Sequence, residues 1–171
     1  MELKQLTERT LELFGVRNMD DLKIAVLDAI NKPEILNVFY DLVGGDLSKD
    51  WMQMIYQYYL ADRKEKKQDY TPPSIARFMG RLAGDADKIV DICAGSGALI
   101  IQKWNYNNDI AFTAVEVDEN VIPFLLFNMV IRNIRCDVLQ MDVLVDEEPK
   151  RVWKITKGVK FGNVVNCKSA V

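Results

Sequence analysis

The chain of 171 residues contains no histidine. That absence excludes Ser-His-Asp and Cys-His activation of a nucleophile, HExxH zinc chemistry and every histidine general base. Any chemistry has to run on carboxylates, amides, backbone groups or a bound cofactor. Cysteine is scarce too. Cys93, Cys136 and Cys167 lie far apart with no CxxC pair, which indicates reduced thiols rather than a disulfide framework or a cysteine zinc site, and no metal is expected. No stretch approaches the roughly 18 to 20 apolar residues that a membrane span requires. The N-terminal MELKQLTERTLELFG alternates charged and apolar residues where a signal peptide would carry an apolar block. A cytoplasmic location away from membranes is expected.

What is present is the profile of an ordered globular chain, 49% hydrophobic and 27% charged. The net charge of -3 hides a division. Residues 149–171 hold Lys150, Arg151, Lys154, Lys157, Lys160 and Lys168 and no acid, which leaves 16 basic against 25 acidic residues, or -9, on residues 1–148. Such an end can face a polyanion or serve as a solvated basic face.

The hydrophobic period divides the chain. From Glu2 to about Arg81 apolar residues recur at three-to-four spacing, predicting helices over 2–14, 20–31 and 34–43, separated by Gly15, by Asn31 to Pro33 and by Gly44-Gly45. Ser48 reads as the N-cap of a further helix, where Trp51, Met54, Ile55, Tyr58 and Tyr59 form a stripe expected in the core. The charged run Arg63 to Lys67 closes this region. Thr71-Pro72-Pro73 starts another helix, with Ile75, Phe78, Met79 and Leu82 on one face and Gly84 as its stop. Beyond it, Lys88 to Ile92, Ile110 to Val117 and Asp137 to Met141 read as strands, with helices over about 97–105 and 119–132 between them; Val164 and Val165, with Phe161, read as a fourth strand. The fold class is therefore α/β: a helical N-terminal domain over 1–67, then over 68–171 a partial Rossmann-like parallel sheet with helices on both faces.

Asp91-Ile92-Cys93-Ala94-Gly95-Ser96-Gly97 falls where a strand ends and a helix begins. Glycines there permit a tight turn and close approach of backbone to a ligand, and the helix start offers unpaired N–H groups. Glu116 lies nineteen residues after Gly97, at the tip of the second strand, where a nucleoside ribose presents its hydroxyls. A dinucleotide fingerprint needs glycine or alanine at position 100, which is Ile100; a nicotinamide or flavin cofactor is disfavoured. The turn resembles instead the related one of methyltransferases, which cradles an amino-acid end and a sulfonium, and that resemblance implies Asp91 as an acid at the mouth for a cation. Asp142 after the third strand completes three carboxylates at three strand ends, the side on which open α/β sheets bind ligands.

These motifs, in this order, resemble the adenine-N6 DNA methyltransferases, in particular the modification subunits of type I restriction-modification systems, which carry a helical N-terminal domain, a Tyr-Thr-Pro motif and a DxxCGSG-type turn. Tyr70-Thr71-Pro72-Pro73 and Asp91 to Gly97 carry the resemblance. It implies S-adenosylmethionine as cofactor. Tyr70, Thr71 and Pro72 would close over its methionine part, Asp91 and the backbone of Ala94, Gly95, Ser96 and Gly97 would hold its amino-acid end, and Glu116 would bind the ribose hydroxyls. Val117 and Val143 would flank the adenine, and Asp142 would accept from its amino group. The implied substrate is adenine in duplex DNA, flipped from the stack because its target atom is inaccessible there, and methyl transfer would be direct and in-line.

The sequence departs from the family where the catalytic Asn/Asp-Pro-Pro-Tyr/Phe motif belongs. The stretch Phe161 to Ser169 contains Asn166, which could supply the amide, but neither proline nor an aromatic follows it. The resemblance also implies sheet order 3-2-1-4, leaving the fourth strand's edge exposed to a second copy, a specificity subunit or a second methyltransferase subunit. The alternative function is an inactive or truncated remnant that binds cofactor, DNA or a partner without methyl transfer.

Overall fold

The computed structural model describes residues 2–61, 71–84 and 86–168. The expected charged run at 63–67, Tyr70 and Ser169 lie outside them. Helices α1 (Leu3–Leu13), α2 (Met19–Ala29), α3 (Pro33–Leu42), α4 (Trp51–Ala61) and α5 (Pro73–Leu82) come first. Then follow β1 (Lys88–Asp91), α6 (Ala98–Trp104), β2 (Ala111–Glu116), α7 (Ile122–Ile131), β3 (Cys136–Gln140), β4 (Arg151–Thr156) and β5 (Asn163–Lys168). The α/β class and the order of a helical region before a Rossmann-like unit are as expected from the sequence.

Local chemistry explains the element ends. Asn18 caps α2 by accepting from the Asp21 N–H. Pro33 and Pro73 occupy first helical positions, where the missing N–H costs nothing. The cap of α4 is Asp50 rather than Ser48: its carboxylate accepts from the Gln53 N–H at 2.9 Å, while Ser48 turns back to Asp46. All ten residues of α7, IPFLLFNMVI, are buried. A helix that is apolar all round has to be central, and α7 touches α2 and α4 above it and β3 and β5 below it. The layers are thus the sheet, then α6 and α7, then the N-terminal helices. Phe127 of α7 joins them through edge-to-face contacts with Phe14 (5.9 Å) and Phe39 (5.0 Å), each worth ~0.5–1.5 kcal/mol beyond burial.

Strand order differs from expectation. The sheet runs β1-β2-β3-β4-β5, with β1, β2 and β3 parallel, β4 antiparallel to both its neighbours, and β5 again in the direction of β1–β3. The last strand does not cross over to lie beside β1. It returns as a hairpin, because Arg151–Thr156 is itself a strand, pairing Val138 with Trp153 and Cys136 with Ile155. The hairpin loop is held on α7 by Gly162 N–H to the Val130 carbonyl and by Asn133, whose side-chain amide brackets Gly158 from both sides. Among the described residues the sheet's edges are β1 and β5; β5 contains the expected fourth strand and runs in the direction of β1–β3, but its neighbour is β4 rather than β1.

Among the described residues the helices gather on one face of the sheet. Phe112, Ala114, Cys136, Val138, Trp153, Ile155 and Val164 are buried toward α6 and α7. On the opposite face Val90 (58% exposed), Lys154 and Val165 (62%) meet solvent. Helix α5 packs on α6 through Ala76 and Gly80. A Cβ at Gly80 would stand 3.2 Å from the Gln102 and Lys103 backbone, so glycine sets this close approach. The face carrying Ile75, Phe78, Met79 and Leu82 consequently points outward, with Phe78 60% exposed.

Candidate functional site

The site forms where β1 ends. Asp91 closes the strand, and the chain turns through Cys93 to Gly97 into α6. The turn is built on two internal hydrogen bonds, from the Ala94 N–H to the Val115 carbonyl (2.9 Å) and from the Gly97 N–H to the Ala94 carbonyl (2.8 Å). Gly97 has φ +95°, and a Cβ there would lie 2.7 Å from Met129 Cε and 3.1 Å from Leu125 Cδ1. Only glycine combines that backbone with such close seating on α7.

Glu116, at the tip of β2, reaches across to this turn. Its Oε2 accepts from the Gly95 N–H and its Oε1 from the Asp118 N–H, both at 2.8 Å. A carboxylate has about four lone-pair sites, so each oxygen retains capacity for a further donor. The N–H groups of Ala94, Gly95 and Gly97, read from the sequence as ligand donors, are engaged inside the protein.

Asp91 is different. Its Oδ1 accepts a 3.3 Å hydrogen bond from the Cys93 N–H, while its Oδ2 is buried with no hydrogen-bond partner among the described residues. Burial pushes this carboxyl above the usual aspartate range, and the nearby Glu116 charge pushes it further, against the Cys93 hydrogen bond. A buried unsatisfied acceptor is costly and calls for an explanation.

A cleft of about 300 Å³ brings together Thr71, Ala94, Gly95, Ser96 and Glu116, with Gln53 and Asp118 added from α4 and the loop after β2. Gln53 and Thr71 also border a larger cavity of about 680 Å³ between α4, α5 and α6. Pro72 sits at the N-cap of α5. Val117 and Val143 are exposed beyond the strand ends. The Met141 N–H bonds the Glu116 carbonyl, placing Asp142 one residue further on. There the Asp142 Oδ1 accepts from the Leu144 N–H and organises its own loop. Asn166 lies on β5 opposite Trp153, four strand spacings or roughly 19 Å from β1. The structure does not bring it to the cleft.

Sequence reasoning missed the support beneath the turn. Ser96 Oγ donates to Asp50 Oδ2 (2.6 Å), and the Asn128 side-chain amide donates to Asp50 Oδ1 (2.9 Å) and the Ser96 carbonyl (2.8 Å). Arg132 Nη1 donates to the Asn128 Oδ1 and carbonyl, and its Nε and Nη2 donate to the Leu47 and Lys49 carbonyls. A signal existed: Asn128 is the one polar residue in the apolar run from Ile122 to Ile131, and a buried polar group needs partners.

The basic C-terminal region is partly consumed by the fold. Lys150 pairs with Asp146, Lys157 with Asp109, and Lys160 lies over the Tyr40 and Phe161 rings. Arg151 and Lys154 remain exposed on β4. The cysteines are free; burial pushes the Cys136 thiol up to about 12, which leaves it unreactive. No helix among the described residues is long and apolar enough to cross a membrane.

No curated protein matches the chain. Among solved structures it is similar to the crystal structure of the type I restriction-modification system methyltransferase subunit from Streptococcus thermophilus, at a TM-score of 0.48 and 18% identity. The match covers 86% of this chain and 40% of that one, so the chain spans two fifths of that subunit's length. The N-6 DNA Methylase profile matches residues 47–164. This span holds 118 of the 171 residues and contains the turn, Glu116 and their buried support, and the chain belongs to the N-6 DNA methylase family.

Proposed function

We propose that this chain is the cofactor-binding module of an S-adenosylmethionine-dependent adenine-N6 DNA methyltransferase. The observation that carries the reading is Asp91 Oδ2, buried and without a hydrogen-bond partner among the described residues, at the start of the glycine turn and beside the cleft that Gly95 and Glu116 line. A carboxylate left without a donor there suits a cationic ligand, and S-adenosylmethionine presents an ammonium and a sulfonium. When bound, the cofactor supplies an electrophilic methyl group on sulfur.

The chain's own residues divide the work of binding. Asp91 attracts and orients the ammonium end. Glu116 has spare acceptor capacity on both oxygens for the ribose hydroxyls, at the strand tip where such a carboxylate belongs. Thr71 and Gln53 form the wall toward α4 and α5. Val117, Asp142 and Val143, at the strand ends beyond the cleft, mark the direction in which an adenine would extend. The cleft volume is at the lower end of the ~300–1,000 Å³ typical of small-molecule sites. Among the described residues, the one expected to hold the target base, Asn166, lies on β5, four strands from β1, and does not line the cleft. A partner chain or second copy completing the site is therefore part of the proposal, with duplex DNA as substrate.

Calorimetric titration with S-adenosylmethionine, with NAD as the control, tests the reading. Saturable binding to the sulfonium cofactor alone, lost in Asp91→Ala and weakened by about 1–3 kcal/mol in Glu116→Ala, the scale for a charge-assisted hydrogen bond, is the expected result. Binding of NAD instead, or affinity indifferent to both substitutions, would remove the cleft from the cofactor site.

A further inference from the structure

We propose that Asp50, Asn128 and Arg132 are positioning residues for the cofactor turn, so that the helical region sets the cofactor affinity of a site whose walls lie mostly elsewhere. The proposal deepens the cofactor reading of the cleft and rests on it. Three elements distant in sequence converge on Ser96. Asp50 precedes α4, Ser96 sits in the turn between β1 and α6, Asn128 lies in the C-terminal half of α7, and Arg132 is its C-cap. Asp50 is 8% and Ser96 5% exposed, and Asn128 and Arg132 are buried as well.

The connectivity makes this more than a packed interface. The Asp50 carboxylate has three donors: Ser96 Oγ and the Asn128 amide, and the Gln53 N–H through which it caps α4. Asn128 holds the other side of the same residue by donating to the Ser96 carbonyl. Arg132 fixes Asn128 through its side-chain and main-chain oxygens and ties down the Leu47 and Lys49 carbonyls leading into Asp50. Arg132 thus balances the Asp50 charge through Asn128. Ser96 is held at its hydroxyl and at its carbonyl, and its neighbours Gly95 and Gly97 have few conformational restraints of their own. The clamp also aligns Gln53, which lines the cleft three residues after Asp50. Networks of this kind lose more than one bond when a member is removed, because the remaining buried groups stay unpaired.

The test combines a ligand-free readout with cofactor titration in wild type, Ser96→Ala, Asp50→Asn, Asp50→Ala and a control, Ile55→Val, which loosens α4 at a fully buried position away from the clamp. Amide exchange is followed for a peptide spanning residues 93–98 and for one in β3. Ser96→Ala and Asp50→Ala are expected to speed exchange in 93–98 and weaken S-adenosylmethionine binding, each about tenfold or more, as loss of a charge-assisted hydrogen bond implies. Asp50→Asn, which keeps the shape and can donate to Ser96 Oγ, recovers most of both, while β3 stays protected throughout. Ile55→Val leaves exchange in 93–98 and affinity at wild-type values. If Asp50→Ala does not fold, Ser96→Ala and Asp50→Asn decide. Unchanged exchange in Ser96→Ala, or equal losses in Ile55→Val, would overturn the positioning role. Wild type that fails to bind the cofactor removes the cofactor reading, and exchange alone then judges the clamp.

Discussion

Asp91 closes β1 with one carboxylate oxygen buried and without a hydrogen-bond partner among the described residues. Its carboxyl titrates above the ordinary aspartate value because burial disfavours the ionised form. In the unfolded chain the same group ionises more easily, so between the ordinary and the raised value the folded state binds more protons. The Asp91 contribution to stability is therefore greatest at low pH and declines as pH rises through that window. Asp91→Asn removes the buried charge and keeps the shape. Its midpoint in thermal unfolding at pH 7 should rise above that of wild type, with a flatter dependence on pH over the acid range, while cofactor affinity falls. A substitution that lowered stability and affinity together would mean that Asp91 is a structural acid satisfied by the protein.

At the scale of elements, hydrophobic period located most of the helices and the first three strands, because those segments alternate apolar and polar faces, while α7, buried on every side, showed as a continuous apolar run. It also exposed the turn and its acid, since glycine spacing and strand-end carboxylates are local features. The β4–β5 hairpin was legible in principle. RVWKIT alternates, with Trp153 and Ile155 buried and Lys154 and Thr156 exposed, but its lysine and arginine read as charge before they read as a strand. Strand order was not legible because it depends on which strands pair, through partners 7 to 24 positions apart, and the Asp50 clamp was not because its hydrogen bonds between elements join residues 32 to 85 apart; periodicity is silent on both. Helix α5 shows how a correct period can still mislead about burial. Its regular apolar stripe points to solvent because small Ala76 and Gly80 make the contact with α6. A parallel sheet normally has both faces covered, and the open face, the β1 edge and the α5 stripe together leave a surface suited to association. Sedimentation over a range of concentrations should show mass rising above one chain. Phe78→Ser should lower that mass without shifting the unfolding midpoint, since the ring is mostly in solvent; a single monomeric species at every concentration would show that this surface tolerates water.

Across the whole molecule, the division read from the sequence between residues 1–67 and 68–171 meets a core that runs through both. Phe127 packs against Phe14 and Phe39, Lys23 reaches Asn120, Asn31 bonds the Val164 backbone, and Asp50 holds Ser96. Helix α7 is buried on every side because the N-terminal helices cover what the sheet does not. Stripped of them, α7 would present Phe127, Phe124 and Asn128 to water and leave Arg132 without its Leu47 and Lys49 carbonyl partners. The cost of separating the regions is therefore shared by both, which is the condition for all-or-none unfolding. Far-UV circular dichroism should report one transition, coincident with tryptophan fluorescence from Trp51 in the helical region, Trp104 in α6 and Trp153 in β4. Two resolved transitions, with Trp51 alone following the first, would mark the boundary near residue 67 as a domain division and would confine the influence of Asp50 on the turn to the folded helical region.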